Sequence, residues 1–273
     1  MQRDTQRNTQ SNVRRKIRWI SLCLFVCALV GLGIHVYQMR NIEVPYNAVR
    51  ESREPLEATH YVDETDYTDA EETCDCEYED EPQTPELLPR IALLREQYDN
   101  PDIVGFIEIT GTNISYPVAQ TGNNVFYLYH DLSWNRSSAG SIFLDYENNL
   151  YQLADDNTII YGHNMHNGSM FHNIRHFHRE EFFRNHTYIL LCTPYRETVW
   201  DIFAFFHTTI AFCYLTTNFH SREAFYDFLM ELQGRSIFET DIVLSENDQI
   251  LILSTCGVTG GENRYVVVSR LRS

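Results

Sequence analysis

Cys256 ends the apolar run Leu251-Ile252-Leu253-Ser254-Thr255 and is followed by a loop holding Gly257, Gly260 and Gly261. A thiol at a strand end beside a glycine-rich loop is within reach of substrate, whereas a packing cysteine sits mid-strand. Taken alone, the position fits packing better than catalysis, because cysteine is among the most buried residue types. Two further residues change that balance. His163 ends the run Ile159-Ile160-Tyr161-Gly162, and imidazole is the side chain best suited to exchange protons near neutral pH. Arg264 opens the run Tyr265-Val266-Val267-Val268, where a guanidinium can hold a developing oxyanion; the plainer reading is a surface arginine. Three strand ends, each finishing in one member of a Cys/His/Arg set, point to acyl transfer through a thiol.

The elements that must carry these residues are short. If the runs before and after the loop 257–263 form a hairpin, Arg264 lies beside Cys256. Arg270 shares the strand face of Arg264 by the period of two. At ~3.3 Å per residue it lies about 20 Å away, at the far end. Upstream, apolar runs at 104–109, 115–119, 140–145, 158–161, 188–192, 199–206 and 210–215 read as strands, and so do 250–255 and 265–271. Helical patterns occur at 87–95, stopped by Asn100-Pro101, and at 166–184. Another runs over 221–232, with Ser221 as N-cap and Gly234 at the C-cap. Many short strands with few helical insertions predict a mainly β fold, a closed barrel with decorations. The 16 Phe and 17 Tyr suit strands better than helices.

The other cysteines do not compose a disulfide framework. Cys192 and Cys213 lie in apolar runs and are expected to be buried and inert, and Cys23 and Cys27 fall in the N-terminal apolar segment. Cys74 and Cys76 stand in an acidic stretch, where two thiols alone make a poor metal site. His172 and His176 are spaced i, i+4, which can chelate zinc, but no acidic or thiol partner completes the pattern. A solvated helix face is the better reading. The sequence calls for no metal and no cofactor.

Residues 1–18 are polar and end in Arg14, Arg15, Lys16 and Arg18; residues 19–37 then carry no Asp, Glu, Lys or Arg. An apolar run of that length suits a membrane span, and the basic flank predicts a cytoplasmic N-terminus. A cleaved signal peptide fits less well, for want of an Ala-x-Ala-like site. Residues 38–84 read as an acidic, solvated stalk, and 85–273 as the catalytic domain. The net charge of −17 argues against a nucleic-acid partner, since phosphate binding requires a basic surface.

From about residue 85 onward the motifs resemble those of sortases, and specifically class B. They are Leu253-Ser254-Thr255-Cys256, Tyr161-Gly162-His163-Asn164-Met165 and Asn263-Arg264-Tyr265-Val266-Val267-Val268-Ser269-Arg270-Leu271. Asn100-Pro101-Asp102-Ile103-Val104-Gly105-Phe106-Ile107, Tyr127-Leu128-Tyr129-His130-Asp131 and Ala139-Gly140-Ser141-Ile142-Phe143-Leu144-Asp145 are similar to the family as well. The resemblance implies an eight-stranded barrel with N-terminal helices and an extra helix before the cysteine strand. It further implies a membrane-anchored cysteine transpeptidase of Gram-positive cell surfaces. Cys256 would form a thioacyl enzyme with an LPxTG-like sorting signal of a secreted protein. His163 would exchange the amine proton, and Arg264 would support the oxyanion. Ser254 matches a family position lining the substrate cleft. The acceptor would be an amine of the cell-wall precursor or, in a pilin-polymerising enzyme, a pilin lysine. Some class B members carry an acid just after the cysteine, where this chain has Gly257 and Val258, so no carboxylate partner for His163 can be assigned. A catalytically silent receptor on the same fold is opposed by the intact Cys/His/Arg set. A papain-like hydrolase would have Cys before His in the chain.

Overall fold

The computed structural model describes residues 85–209, 211–256 and 263–272, with Cys256 described by its backbone. The predicted tail 1–18, span 19–37 and stalk 38–84 lie outside the described residues, as does the loop 257–262. Among the described residues no helix is long and apolar enough to cross a membrane.

Helix α1 (Pro89–Tyr98) starts on a proline, whose missing N–H costs nothing at a helix start. It buries Ile91 and Leu94 and ends where Asp99 turns left-handed (φ 48°). Of the N-terminal helices expected, α1 is the one within the described residues. Eight strands follow: β1 (Ile103–Glu108), β2 (Ser115–Ala119), β3 (Ile142–Leu144), β4 (Asn157–His163), β5 (Tyr188–Cys192), β6 (Glu197–Thr208), β7 (Ile250–Cys256) and β8 (Arg264–Leu271). They close a barrel in the order β1-β2-β3-β4-β7-β8-β6-β5, with β5 pairing back onto β1. The mainly β, closed eight-stranded barrel expected from the sequence is the architecture present.

Two contacts in the barrel are parallel, β2 with β3 and β4 with β7. A parallel pair cannot be joined by a tight turn. The β4-to-β7 crossover therefore runs through β5, β6 and helix α3 (Arg222–Gly234). Every residue of β4 is buried, and so are residues 250–255 of β7. Strands covered on both faces read as unbroken apolar runs rather than alternating ones, as in Ile250-Leu251-Ile252-Leu253.

The secondary structure corrects the sequence reading at several points. The helix expected over 166–184 is two elements, a 3₁₀ helix (Phe171–His178) and helix α2 (Glu180–Asn185), divided at the extended Arg179. Phe171, Ile174 and Phe177 are the buried positions of the first. Their spacing of three matches the 3.0-residue turn of a 3₁₀ helix. The strand expected over 210–215 is absent for residues 211–215, because the closed barrel leaves no free edge for it. That stretch turns, with Phe212 N donating to Thr209 O, and Cys213 is exposed rather than buried. Ser221 caps α3 as expected, its hydroxyl accepting from Ala224 N at 3.1 Å. Gly234, however, stays helical, and the helix stops at Arg235 in a right-handed conformation.

Candidate active site

β4 and β7 run side by side in unbroken register from Asn157 opposite Ile250 to His163 opposite Cys256. The imidazole and thiol residues are therefore the last members of two neighbouring strands that end together. β8 returns antiparallel along β7, from Ile250 opposite Arg270 to Ser254 opposite Val266. Continuing that register by two residues brings Arg264 across from Cys256. The ladder opens at this point, and the hydroxyl of Thr255 accepts from Tyr265 N at 2.9 Å in place of a backbone partner. Arg264 opens β8 opposite Thr208 of β6, whereas Arg270 sits at the other end, opposite Asp201. The barrel thus brings Cys256, His163 and Arg264 to one rim and leaves Arg270 at the other.

A cleft of about 300 Å³ lies at this rim, lined by Ser254, Thr255 and Arg264 and by Asn124, Leu128 and Tyr161. The loop after β6 supplies Phe212, Tyr214 and Leu215 as a further wall. Ser254 is buried, and its Oγ is hydrogen-bonded to the hydroxyl of Tyr214 at 2.8 Å. The sequence reading places Ser254 on the cleft but misses Asn124, Tyr161 and Tyr214. Tyr161 is legible, since it stands two residues before His163 and shares its strand face. Tyr214 is not, because its segment has the composition of a strand.

His163 is buried, and its Nε2 donates to the backbone carbonyl of Leu128 at 2.9 Å. A carbonyl oxygen only accepts, so Nε2 carries a hydrogen and Nδ1 is left as the nitrogen that gains and loses protons. This carbonyl fills the orienting place for which the sequence offers no carboxylate. The Leu128 loop is itself braced. The hydroxyl of Tyr127 accepts from Asn100 Nδ2 (2.9 Å) and donates to Asp102 Oδ2 (2.8 Å). Burial, with Asp102 beside it, pushes this phenol up to about 12. Ser141 N donates to Tyr127 O and Ser141 Oγ to His130 O.

Gly140 closes this brace at φ +57°, a conformation that favours glycine. A Cβ there would stand 2.5 Å from Tyr127 O and 2.6 Å from Leu128 O. Gly140→Ala should push the Leu128 carbonyl away from His163. The expected loss is about 10² in kcat, the scale of an ångström-sized misplacement of a catalytic group. A folded Gly140→Ala protein with parental kcat would show that the carbonyl does not hold His163.

Other candidates separate cleanly. Cys192 is buried, its Sγ donating to Glu197 Oε1 at 3.3 Å. Burial first, and the Glu197 charge second, push its thiol up to about 12, so it supplies no thiolate near neutral pH. His172 and His176 lie with ring centroids 5.5 Å apart and are half-buried rather than fully solvated. Burial lowers the pKa of each. Among the described residues no group of three or more His, Cys, Asp or Glu side chains is arranged to hold a metal ion.

A profile of the sortase domain matches residues 107–272. Sortase B of Listeria monocytogenes is 38% identical over 157 residues, which is 58% of this chain and 63% of that protein. Sortase B of Staphylococcus aureus is 33% identical over 174 residues, 63% of this chain and 71% of that protein. Among solved structures, a Staphylococcus aureus sortase B–substrate complex superposes with a TM-score of 0.65 at 30% identity. That match covers 69% of this chain and 87% of the other. Clostridium perfringens sortase B gives 0.62 at 37% identity, covering 67% and 99%.

Proposed function

The chain belongs to the sortase family of cysteine transpeptidases, as a class B member, and on that premise we propose that it cleaves an LPxTG-like C-terminal sorting signal and joins the released protein to an amine. Cys256 attacks the threonine carbonyl carbon. As the carbon–sulfur bond forms and the carbon–nitrogen bond breaks, His163 gives the leaving amine its proton. The acceptor amine then attacks the thioester, its proton passes to His163, and the Cys256 thiolate departs. Arg264 supports the oxyanion of both tetrahedral intermediates. Ser254 lines the cleft that holds the signal. The observation that carries this reading is the shared ending of β4 and β7, with His163 in register with Cys256. That a similar sortase B from Staphylococcus aureus is described in complex with a substrate supports a peptide as occupant.

The enzyme is anchored by the span 19–37, with its basic tail in the cytoplasm and its catalytic domain outside, lifted by the stalk 38–84. The acceptor is an amine of the cell-wall precursor. Incubating the full chain in detergent with LPxTG-like peptides and mass spectrometry of the products tests both steps. A thioester adduct on Cys256, and transfer to an added peptide N-terminal amine, are the expected products. Cleavage with transfer only to a lysine side chain would replace the cell-wall acceptor by a pilin one. No cleavage of any such peptide would overturn the assignment.

A further inference from the structure

One buried acid takes no part in the steps above. Asp145 follows β3 and is 5% exposed. Its Oδ2 accepts from the hydroxyl of Tyr161 at 2.7 Å and from Asn124 Nδ2 at 2.8 Å, and its Oδ1 accepts from Glu147 N at 3.0 Å. Three donors converge on it. The residue is fixed in turn by its own backbone, whose N–H donates to Ile159 O and whose carbonyl accepts from Gln120 Nε2 at 2.7 Å. Asn124 and Tyr161 both line the cleft, and Tyr161 is two residues from His163 on β4. We propose that Asp145 is a positioning residue that sets the hydrogen-bonding polarity of the cleft wall through Asn124 and Tyr161. The proposal rests on the peptide-processing reading given above.

The physical basis is an orientation that can be satisfied in one way only. Asn124 Oδ1 accepts from Tyr146 N at 3.0 Å while its Nδ2 donates to Asp145. Flipping the carboxamide would set oxygen against carboxylate and amine against amide, so neither contact survives. Bonds to a charged acceptor are stronger than neutral ones, which locks the arrangement. The Tyr161 proton is committed to Asp145, so toward any other group its oxygen acts as an acceptor. The Asn124 oxygen is engaged by Tyr146, so that side chain offers its second N–H. An acceptor and a donor held on one wall suit the alternating amide groups of an extended peptide, and they set its direction in the cleft.

Asp145→Asn keeps the shape but supplies one acceptor oxygen where the carboxylate had two, so the three donors cannot all be served. In the full chain the variant should raise KM for an LPxTG-like peptide about tenfold with kcat within about threefold, since binding rather than chemistry is disturbed. In an Asn124→Ala/Tyr161→Phe background, Asp145→Asn should have no further effect on KM. An acid that serves only the fold would lower the melting temperature and act additively. A second readout needs no substrate. The side-chain amide resonances of Asn124 should shift in Asp145→Asn, and also in Tyr161→Phe, which shares the same carboxylate oxygen. If Asp145→Asn does not fold, the Tyr161→Phe resonances decide. Unchanged Asn124 resonances, an unchanged KM or additive effects would overturn the proposal. A parent enzyme that turns over no peptide would instead count against the function, leaving the resonances to judge Asp145.

Discussion

Cys256→Ala is expected to abolish peptide cleavage, with a loss on the order of 10⁶ in kcat, the scale of a missing nucleophile. No other described cysteine can replace it. Cys192 is buried, with a thiol pushed up to about 12, and lies on β5, whose neighbours are β1 and β6. Cys213 is exposed on the turn after β6, and unlike its neighbours Phe212 and Tyr214 its side chain does not line the cleft. Cys192→Ala should cost about 1 kcal/mol of stability, an ordinary value for a small buried truncation, and leave turnover intact. Cys213→Ala should be silent in both. Mass spectrometry after mixing with peptide is the check: the thioacyl adduct should form in both of these variants and be absent from Cys256→Ala. An adduct in Cys256→Ala would end the assignment.

Arg264→Ala is expected to lower kcat by about 10²–10³, the cost of removing one oxyanion donor, while the protein stays folded. The half-exposed position at the opening of β8 makes a folding defect from this change unexpected. Arg264→Lys should recover part of the loss, because an ammonium restores the charge but not the planar fork. Arg270 is the internal control. It shares the strand and the face, yet its Nη1 donates to Val243 O at 2.8 Å, and it pairs with Asp201 and Ile250 at the opposite rim. Arg270→Ala should turn over peptide within a few-fold of the parent. A dead Arg270→Ala beside an active Arg264→Ala would refute both the hairpin geometry and the oxyanion role.

The motif Asn100-Pro101-Asp102 and the motif around Tyr127 lie far from Cys256 in the chain, and nothing in their residue types assigns them a role. The structure joins them in one buried network that holds the Leu128 carbonyl against His163. The same holds for Asp145, which in the sequence is only the end of a family motif. Its hydrogen bonds tie it to Asn124 and Tyr161, two residues of the cleft wall.

What the amino-acid sequence determined by itself is what depends on neighbours along the chain. Apolar periodicity and turn residues mark all eight strands to within two residues at each end, β3 being three residues inside the 140–145 run. The short connection from Cys256 to Arg264 makes their strands a hairpin, so the nearness of Arg264 to Cys256 follows from chain proximity alone. The side of the barrel on which His163 lies does not. β4 and β7 are parallel, joined by the long crossover through β5, β6 and α3, and no local signal specifies which edge β7 takes. Only closure of the whole barrel sets that register. The same reason governs the smaller failures. The apolar run around Cys213 has strand composition, but a closed barrel has no edge to pair it with, so it folds over the rim as a cleft wall and exposes the thiol. The partner of His163 is a backbone carbonyl 35 residues earlier, and any residue type can supply that group, so no sequence pattern reveals it.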